Sequence, residues 1–353
     1  MNPRGVPKFA RLGAVLASVA LLAMAGLAGA PVADHPGFPA VIQMPPGDTP
    51  SGVAVDKPGN VYVSVREPDT RNVIWKYTPD GKLSFVANMG YGAVVYGLAV
   101  TPNGELYVAM ATGPESGVYR LDRKGNAGLI QGSDEMVYPN GFAFDDRGNL
   151  YVTESYSGSP GNYGQGGVWR IAPGGEADVW VRHPLLTGAG ASPVGANGIG
   201  YYHGDLFVTN TNKGTILRIP VAEDGGAGEP EVWKQIAPVP ESLPVLSTFP
   251  IMPDGLALDV HGNVYVTILT RNAIVRVNAD DRTQETVAVL GSSGPAPSAQ
   301  FDFPASLAFG TGAGEQQNLF VTNLGWMKNY ISSMTWPGPA LVKVPAGAPG
   351  RPL

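Results

Sequence analysis

Three oxygen-bearing side chains, Asn140, Asn197 and Asp254, follow one another at intervals of 57 residues. Each stands directly before a glycine and an apolar run: Asn140-Gly141-Phe142, Asn197-Gly198-Ile199 and Asp254-Gly255-Leu256. Two amides and a carboxylate brought to one point would supply the oxygen ligands that a hard cation such as calcium accepts. They suit zinc or copper poorly, because neither histidine nor cysteine shares the position. One Asn-Gly or Asp-Gly pair alone is a common turn dipeptide. The chemistry therefore depends on whether the chain carries all three copies to a common place.

The elements that would do so are repeated. The glycine recurs at Gly52, Gly97, Gly141, Gly198 and Gly255, and a sixth unit has Ser306 there. The intervals, 44 to 57 residues, match the spacing of propeller blades. Each unit opens with an apolar run such as Gly97-Leu98-Ala99-Val100, which fits a strand buried on both faces. Hairpin-turn residues such as Pro58-Gly59-Asn60 follow, then a second strand such as Val61-Tyr62-Val63. The third strand carries a basic residue between apolar ones, as in Trp75-Lys76-Tyr77, an alternation with period two. A fourth, weaker strand follows in five units. The sixth unit runs out after its third strand at Val344, while Pro39 to Gln43 reads as a strand without a unit. If that strand supplies the outer strand of the sixth blade, the ring closes and an exposed edge is removed. The expectation is an all-β, six-bladed β-propeller formed by residues 34–353 as one domain, closed by its N-terminal strand.

On such a ring the first strand of each blade lines the central channel, and the residue before the glycine sits at its mouth. Those six positions are Ser51, Tyr96, Asn140, Asn197, Asp254 and Ala305. Three successive blades thus direct Asn, Asn and Asp towards one axis. The glycine would let the backbone approach closely or take a positive φ. Three loops on the same face exceed what a turn needs: Thr153–Gly166, Lys234–Pro253 and Thr322–Gly338. The last holds Trp326, Met327, Tyr330, Met334 and Trp336, which would wall a pocket or cover the closing blade. Of the four histidines, His203 and His261 fall in turns on the opposite face and His35 lies near the N-terminus. His183, between the third and fourth blades, is the histidine placed to act as a general base. No Gly-x-Ser-x-Gly elbow, phosphate loop or dinucleotide fingerprint occurs.

Composition narrows the setting. The chain has 353 residues, a formal charge of −6 and no basic block, so nothing points to nucleic acid. Residues 1–33 read as an export signal: Arg4, Lys8 and Arg11, an apolar stretch from Leu12 to Leu27, then Ala28-Gly29-Ala30. An uncleaved membrane anchor is the alternative. Cysteine is absent, so disulfides and thiolate metal sites play no part. Export without disulfides fits a periplasmic or secreted bacterial protein, and nothing in the sequence signals oligomerisation, so a monomer is expected.

Over the ring from about Gly47 to Val344 the chain resembles the SMP-30/gluconolactonase family, and beyond it the paraoxonase-type lactonases. The specific elements are Pro139-Asn140-Gly141, Ala196-Asn197-Gly198 and Pro253-Asp254-Gly255. The remainder of the repeat, Gly-Leu-Ala-x-Asp-x-x-Gly-Asn-Leu-Tyr-Val, is equally typical of NHL-type propellers, which mostly bind partners. The resemblance implies a divalent cation, usually calcium, on Asn140, Asn197 and Asp254, with Asp254 also activating water or positioning the substrate. It also implies hydrolysis of a small-molecule lactone or related ester. The family places a glutamate in the first blade, where this chain has Ser51. Glu154 and Glu67 are the residues that would replace it. Asp254 and His183 are thus the expected catalytic groups, with Glu154 a fourth ligand and Ser51, Tyr96, Trp326 and Tyr330 lining the pocket. Two other readings stay open: a non-catalytic propeller that binds a peptide, polysaccharide or envelope partner, and a metal-assisted lyase or isomerase.

Overall fold

The computed structural model describes residues 40–159, 162–189, 193–239, 249–290, 298–299, 301–330 and 337–352. The expected signal segment, His35, Met334 and Trp336 lie outside them, as does the side chain of Tyr330. Among the described residues no helix is long and apolar enough to cross a membrane.

Six antiparallel sheets of the expected kind form the ring. The first blade shows the pattern: an inner strand Thr49–Val55, then Val61–Arg66, Arg71–Tyr77 and an outer strand Leu83–Tyr91. The other inner strands are Val94–Val100, Pro139–Phe144, Ala196–Tyr202, Pro253–Leu258 and Pro304–Phe309. The fifth blade gains a short parallel strand, Ser298–Ala299, at its outer edge. The sixth is completed from the other end of the chain. Ala40–Gln43 pairs antiparallel with Ala340–Pro345, Ala40 opposite Val342 and Gln43 opposite Ala340. A strand sequence without its own unit therefore closes the circle and covers the outer edge of Ala340–Pro345.

The repeat signature Asp-x-x-Gly-Asn-x-Tyr is explained by the hairpin at the far end of each inner strand. In the first blade Asp56 accepts from the Asn60 N–H (2.7 Å), the Asn60 amide (2.8 Å) and the Tyr62 hydroxyl (3.1 Å). Gly59 supplies the left-handed residue, at φ +94°. Asp145 with Asn149 and Tyr151, and Asp259 with Asn263 and Tyr265, repeat the arrangement. These polar groups cap turns and leave the opposite face for chemistry. His203 and His261 lie in such turns and are exposed, as expected.

The core lies between blades. Val53, Val55, Val61, Val63 and Val73 of the first blade pack with Phe320 and Leu341 of the sixth, and similar clusters fill the other junctions. Packing of this kind fixes each blade against its neighbours and so fixes where the inner strands end.

Candidate functional site

Every inner strand is interrupted at the same point. The pairing register slips between Pro50 and Val53, Val95 and Leu98, Pro139 and Phe142, Ala196 and Ile199, Pro253 and Leu256, and Pro304 and Leu307. The two residues inside each slip are the mouth residue and the glycine, or Ala305-Ser306 in the last blade. A β-bulge re-aims a side chain out of the sheet, and here six bulges face one channel.

Hydroxyls fasten these bulges to one another. Thr153, on the second strand of the third blade, accepts from the Gly141 N–H (2.8 Å) and donates to the Asn197 carbonyl of the next blade (2.5 Å). Ser64, Thr209, Thr267 and Thr322 bond in the same way to the carbonyls of Tyr96, Asp254, Ala305 and Ser51. The second blade has Ala109 at that position and forgoes the bond. The glycines are needed for this closeness: none of the five takes a positive φ, but a Cβ on Gly52 would lie 2.2 Å from the Tyr96 carbonyl oxygen and one on Gly97 1.9 Å from that of Asn140. Of the two roles open to the glycine from the sequence, close approach is the one it fills.

The mouth side chains converge. Asn197 donates a hydrogen bond to the Asp254 carboxylate. Tyr96 and Asp254 stand on opposite blades, yet the carboxylate lies near enough to act on the phenol's ionisation. Burial pushes Asp254 up to about 7, against the opposing effect of the Asn197 hydrogen bond. Protein surrounds this carboxyl, although part of its surface still faces the open channel. Burial also raises the Tyr96 phenol, opposed by a hydrogen bond from Tyr138 and by the charge of Arg66.

A second tier of hydroxyls sets the two amides. Two residues beyond Thr153, Ser155 donates to the Ala196 carbonyl (2.7 Å) and accepts from the Asn140 amide nitrogen (3.3 Å). In the next blade Thr211 donates to the Pro253 carbonyl (2.8 Å) and accepts from the Asn197 amide nitrogen (2.9 Å). Each hydroxyl has given its proton to a carbonyl, so only a lone pair remains for the amide. The NH2 group must turn to it, which leaves Oδ1 of both Asn140 and Asn197 as the free acceptor.

This donor set fits a hard divalent cation. Two oriented amide oxygens share the mouth with a largely enclosed carboxylate that forms no ion pair among the described residues. A buried carboxylate of this kind is costly unless a cation meets it. The set is poor in charge, however. No group of three or more His, Cys, Asp or Glu gathers to hold a metal among the described residues, so Asp254 would be the only anionic ligand.

Two residues expected here are engaged elsewhere. Glu154 alternates with Thr153 and Ser155 and therefore points to the other side of its strand. Fully buried, it accepts from the Val137 N–H at one oxygen (2.7 Å) and from the Trp169 indole (2.8 Å) and Arg182 (2.7 Å) at the other, so both oxygens are engaged. Glu67 is likewise paired, with Arg71. His183 heads a short 3-10 turn, where Nδ1 accepts from the Leu185 N–H (3.2 Å) and Nε2 faces Glu229 (3.3 Å). Both ring nitrogens are committed between blades, which argues against its use as the base.

Two walls flank the mouth. Tyr96, Tyr138, Tyr156 and Tyr163 stack in sequence with ring centroids 4.7 to 4.9 Å apart. Tyr163 comes from a small hairpin in the Gly/Ser/Tyr-rich loop. Opposite, Leu269, Ala305 and Leu324 cluster with Met252, Phe303 and Trp326. Trp326 opens a short helix, Trp326–Tyr330, and packs on Phe303 at 5.3 Å. Asp302 holds that helix by accepting from the N–H groups of Met327 (2.9 Å) and Lys328 (3.0 Å). Ser51 is half-buried in the bulge of the first blade, and Arg66, at the end of the neighbouring strand, stands opposite Thr49. Tyr138, Ser155, Thr211 and Arg66 were not singled out from the sequence. The repeat alignment, extended from the first strand of each blade to the second, contains the signal for the last three.

The family model for the SMP-30/gluconolactonase/LRE-like region matches residues 92–324, more than half of the chain. No curated protein matches the sequence. Among solved structures, a gluconolactonase of Xanthomonas campestris is 17% identical, with 87% of this chain and 88% of that one covered at a TM-score of 0.58. A calcium-binding protein, regucalcin, of Agrobacterium tumefaciens is 14% identical, with 90% and 95% covered at 0.62. The virginiamycin B lyase of Staphylococcus aureus is 19% identical, with 77% of each chain covered at 0.50. At these identities the likeness is one of fold.

Proposed function

Because the chain belongs to the SMP-30/gluconolactonase/LRE-like family, we propose that it is an exported, metal-dependent hydrolase that opens a lactone or related ester at the propeller mouth. The observation that carries this reading is the orientation of the amides. Asn140 and Asn197 are turned by Ser155 and Thr211 so that their oxygens are left free, while the Asp254 carboxylate forms no ion pair among the described residues. Such an arrangement has no evident structural use without a ligand. The gluconolactonase and the calcium-binding regucalcin among the similar structures lend it support.

Asn140, Asn197 and Asp254 would hold the cation, for which calcium is the first candidate. When bound, it supplies Lewis-acid polarisation of the substrate carbonyl and a more acidic water. The chain's own residues supply the rest. Burial alone pushes Asp254 up to about 7, but beside a bound cation it would stay ionised, as the carboxylate that orients the attacking water. The tyrosine stack and the Leu269–Leu324–Trp326 wall confine a small molecule and exclude water from its flanks. Export rests on the N-terminal signal pattern, and the mass of the mature N-terminus would test it.

The central experiment is a thermal shift with calcium and with chelator, run beside a lactone panel on the wild type and Asp254→Asn. Saturating calcium at 100 times its Kd should stabilise the wild type by about 2.7 kcal/mol and the variant not at all, and activity should need both the cation and Asp254. If calcium shifts neither protein, the metal reading fails. A clear shift with an inactive panel would instead point to another reaction on the same site.

A further inference from the structure

We propose that Arg66, with Tyr96, forms an anion subsite at the mouth, so that the molecule acted on carries a carboxylate group. The inference rests on the functional reading above and deepens it.

Arg66 ends the second strand of the first blade, two residues beyond Ser64. Ser64 faces the ring, since its hydroxyl bonds to Gly52 and to the Tyr96 carbonyl. With period-two alternation, Arg66 points the same way. It occupies the place that Ser155 and Thr211 hold in the third and fourth blades, where those side chains bond to the neighbouring blade. Arg66 makes no hydrogen bond or ion pair with its side chain among the described residues, and it is only half-buried. The nearest acid in sequence, Glu67, is held by Arg71. The guanidinium therefore has no structural partner among the described residues, whereas Arg182, Arg218 and Arg276 are each paired with a carboxylate.

Its neighbour at the mouth is Tyr96, whose phenol lies within reach of its charge. The Tyr96 and Tyr138 hydroxyls lie close to one another, and the Tyr96 O–H can turn to donate to a ligand. A forked cation and a hydroxyl donor side by side suit a carboxylate, which accepts through two oxygens. Asp254 lies across the channel on the fifth blade, so an anion on Arg66 would hold the reacting group of a short molecule towards the axial oxygens.

The test separates this subsite from the hydrolase reading by measuring binding without turnover. Glutarate and its neutral diamide are titrated by calorimetry into wild type, Arg66→Gln and Arg66→Lys, with and without calcium. Glutarate should bind the wild type and lose about 10- to 100-fold in Arg66→Gln, with Arg66→Lys between them and the diamide binding none. The lysine variant keeps the charge and guards against a folding artefact. Equal glutarate affinity in wild type and Arg66→Gln, or no binding to the wild type, overturns the subsite, even if neutral lactones are hydrolysed. Arg66-dependent binding beside an inactive lactone panel upholds the subsite while the hydrolase reading falls.

Discussion

Thr153→Val tests whether hydroxyls fasten the ring. Thr153 is fully buried, and its hydroxyl serves the Gly141 N–H at 2.8 Å and the Asn197 carbonyl at 2.5 Å. Valine has nearly the same shape, so no cavity is opened and only hydrogen bonding changes. Two backbone groups lose a partner, and an unsatisfied buried group costs about 1–3 kcal/mol. The added methyl returns about 0.8 kcal/mol. Gly141 is only partly buried, so channel water can relieve its N–H. The net loss should be about 2 kcal/mol. At about 2.1 cal/mol/K per residue, unfolding entropy for a ring of this size is roughly 0.65 kcal/mol/K, which converts the loss to a Tm drop of about 3 °C. Scanning calorimetry reads it, with urea unfolding to confirm an unchanged m-value. Thr209→Val, at the next junction, should behave alike. If both valine variants are as stable as wild type and fully folded, the hydroxyls do not hold the blades together and the account of the mouth is wrong.

Two further outcomes follow from groups around the site. Burial pushes Asp302 up to about 6, against the backbone hydrogen bonds from the Trp326 helix. Its folded value lies above the unfolded one, so its contribution is fully present below about pH 4 and is lost as pH rises through about 6. Asp302→Asn should therefore gain on the wild type by up to ~3 kcal/mol between pH 4 and pH 7; a pH-independent difference in urea midpoints would contradict this. Glu154→Gln should cost about 3 kcal/mol by leaving Arg182 without its buried partner, yet keep the full calcium shift. Loss of that shift in a well-folded protein would return Glu154 to the ligand set.

The architecture was legible because each blade repeats one pattern and a ring has one way to close. The interval of the glycines, the orphan strand at Ala40–Gln43 and the truncated sixth unit led to the observed topology. The placing of Asn140, Asn197 and Asp254 in equivalent bulges was legible for the same reason, since equivalent positions on a ring face one channel. Glu154 and His183 were misjudged because proximity in sequence to the mouth says nothing about side-chain direction. Glu154 is one residue out of phase with Ser155, and strand alternation sends it to the opposite face to meet Trp169 and Arg182. His183 is on the expected face, but a turn cap and Glu229 occupy its nitrogens. Arg66 was missed because the second strands were compared only through their apolar triplets, such as Val61-Tyr62-Val63, and not as far as their mouth ends.

Comparison of the second strands explains why the mouth is asymmetric. The position two residues past the fastening site holds Arg66, Ala111, Ser155, Thr211, Leu269 and Leu324 in order round the ring. A hydroxyl occurs in just two of the six, and those are the two blades whose mouth residue is asparagine. An amide has one end that accepts and one that donates, so it presents oxygen to the axis only if something holds its nitrogen away. A carboxylate accepts through either oxygen and needs no such partner, and behind Asp254 the position is filled by Leu269, which joins the apolar wall instead. Ser51, Tyr96 and Ala305 have no amide to set, and their blades are free to use the place for Arg66 or for packing. A chain under selection for turn chemistry alone would gain nothing from this match between the first and second strands. A chain that must keep two amide oxygens and a carboxylate facing one ligand would.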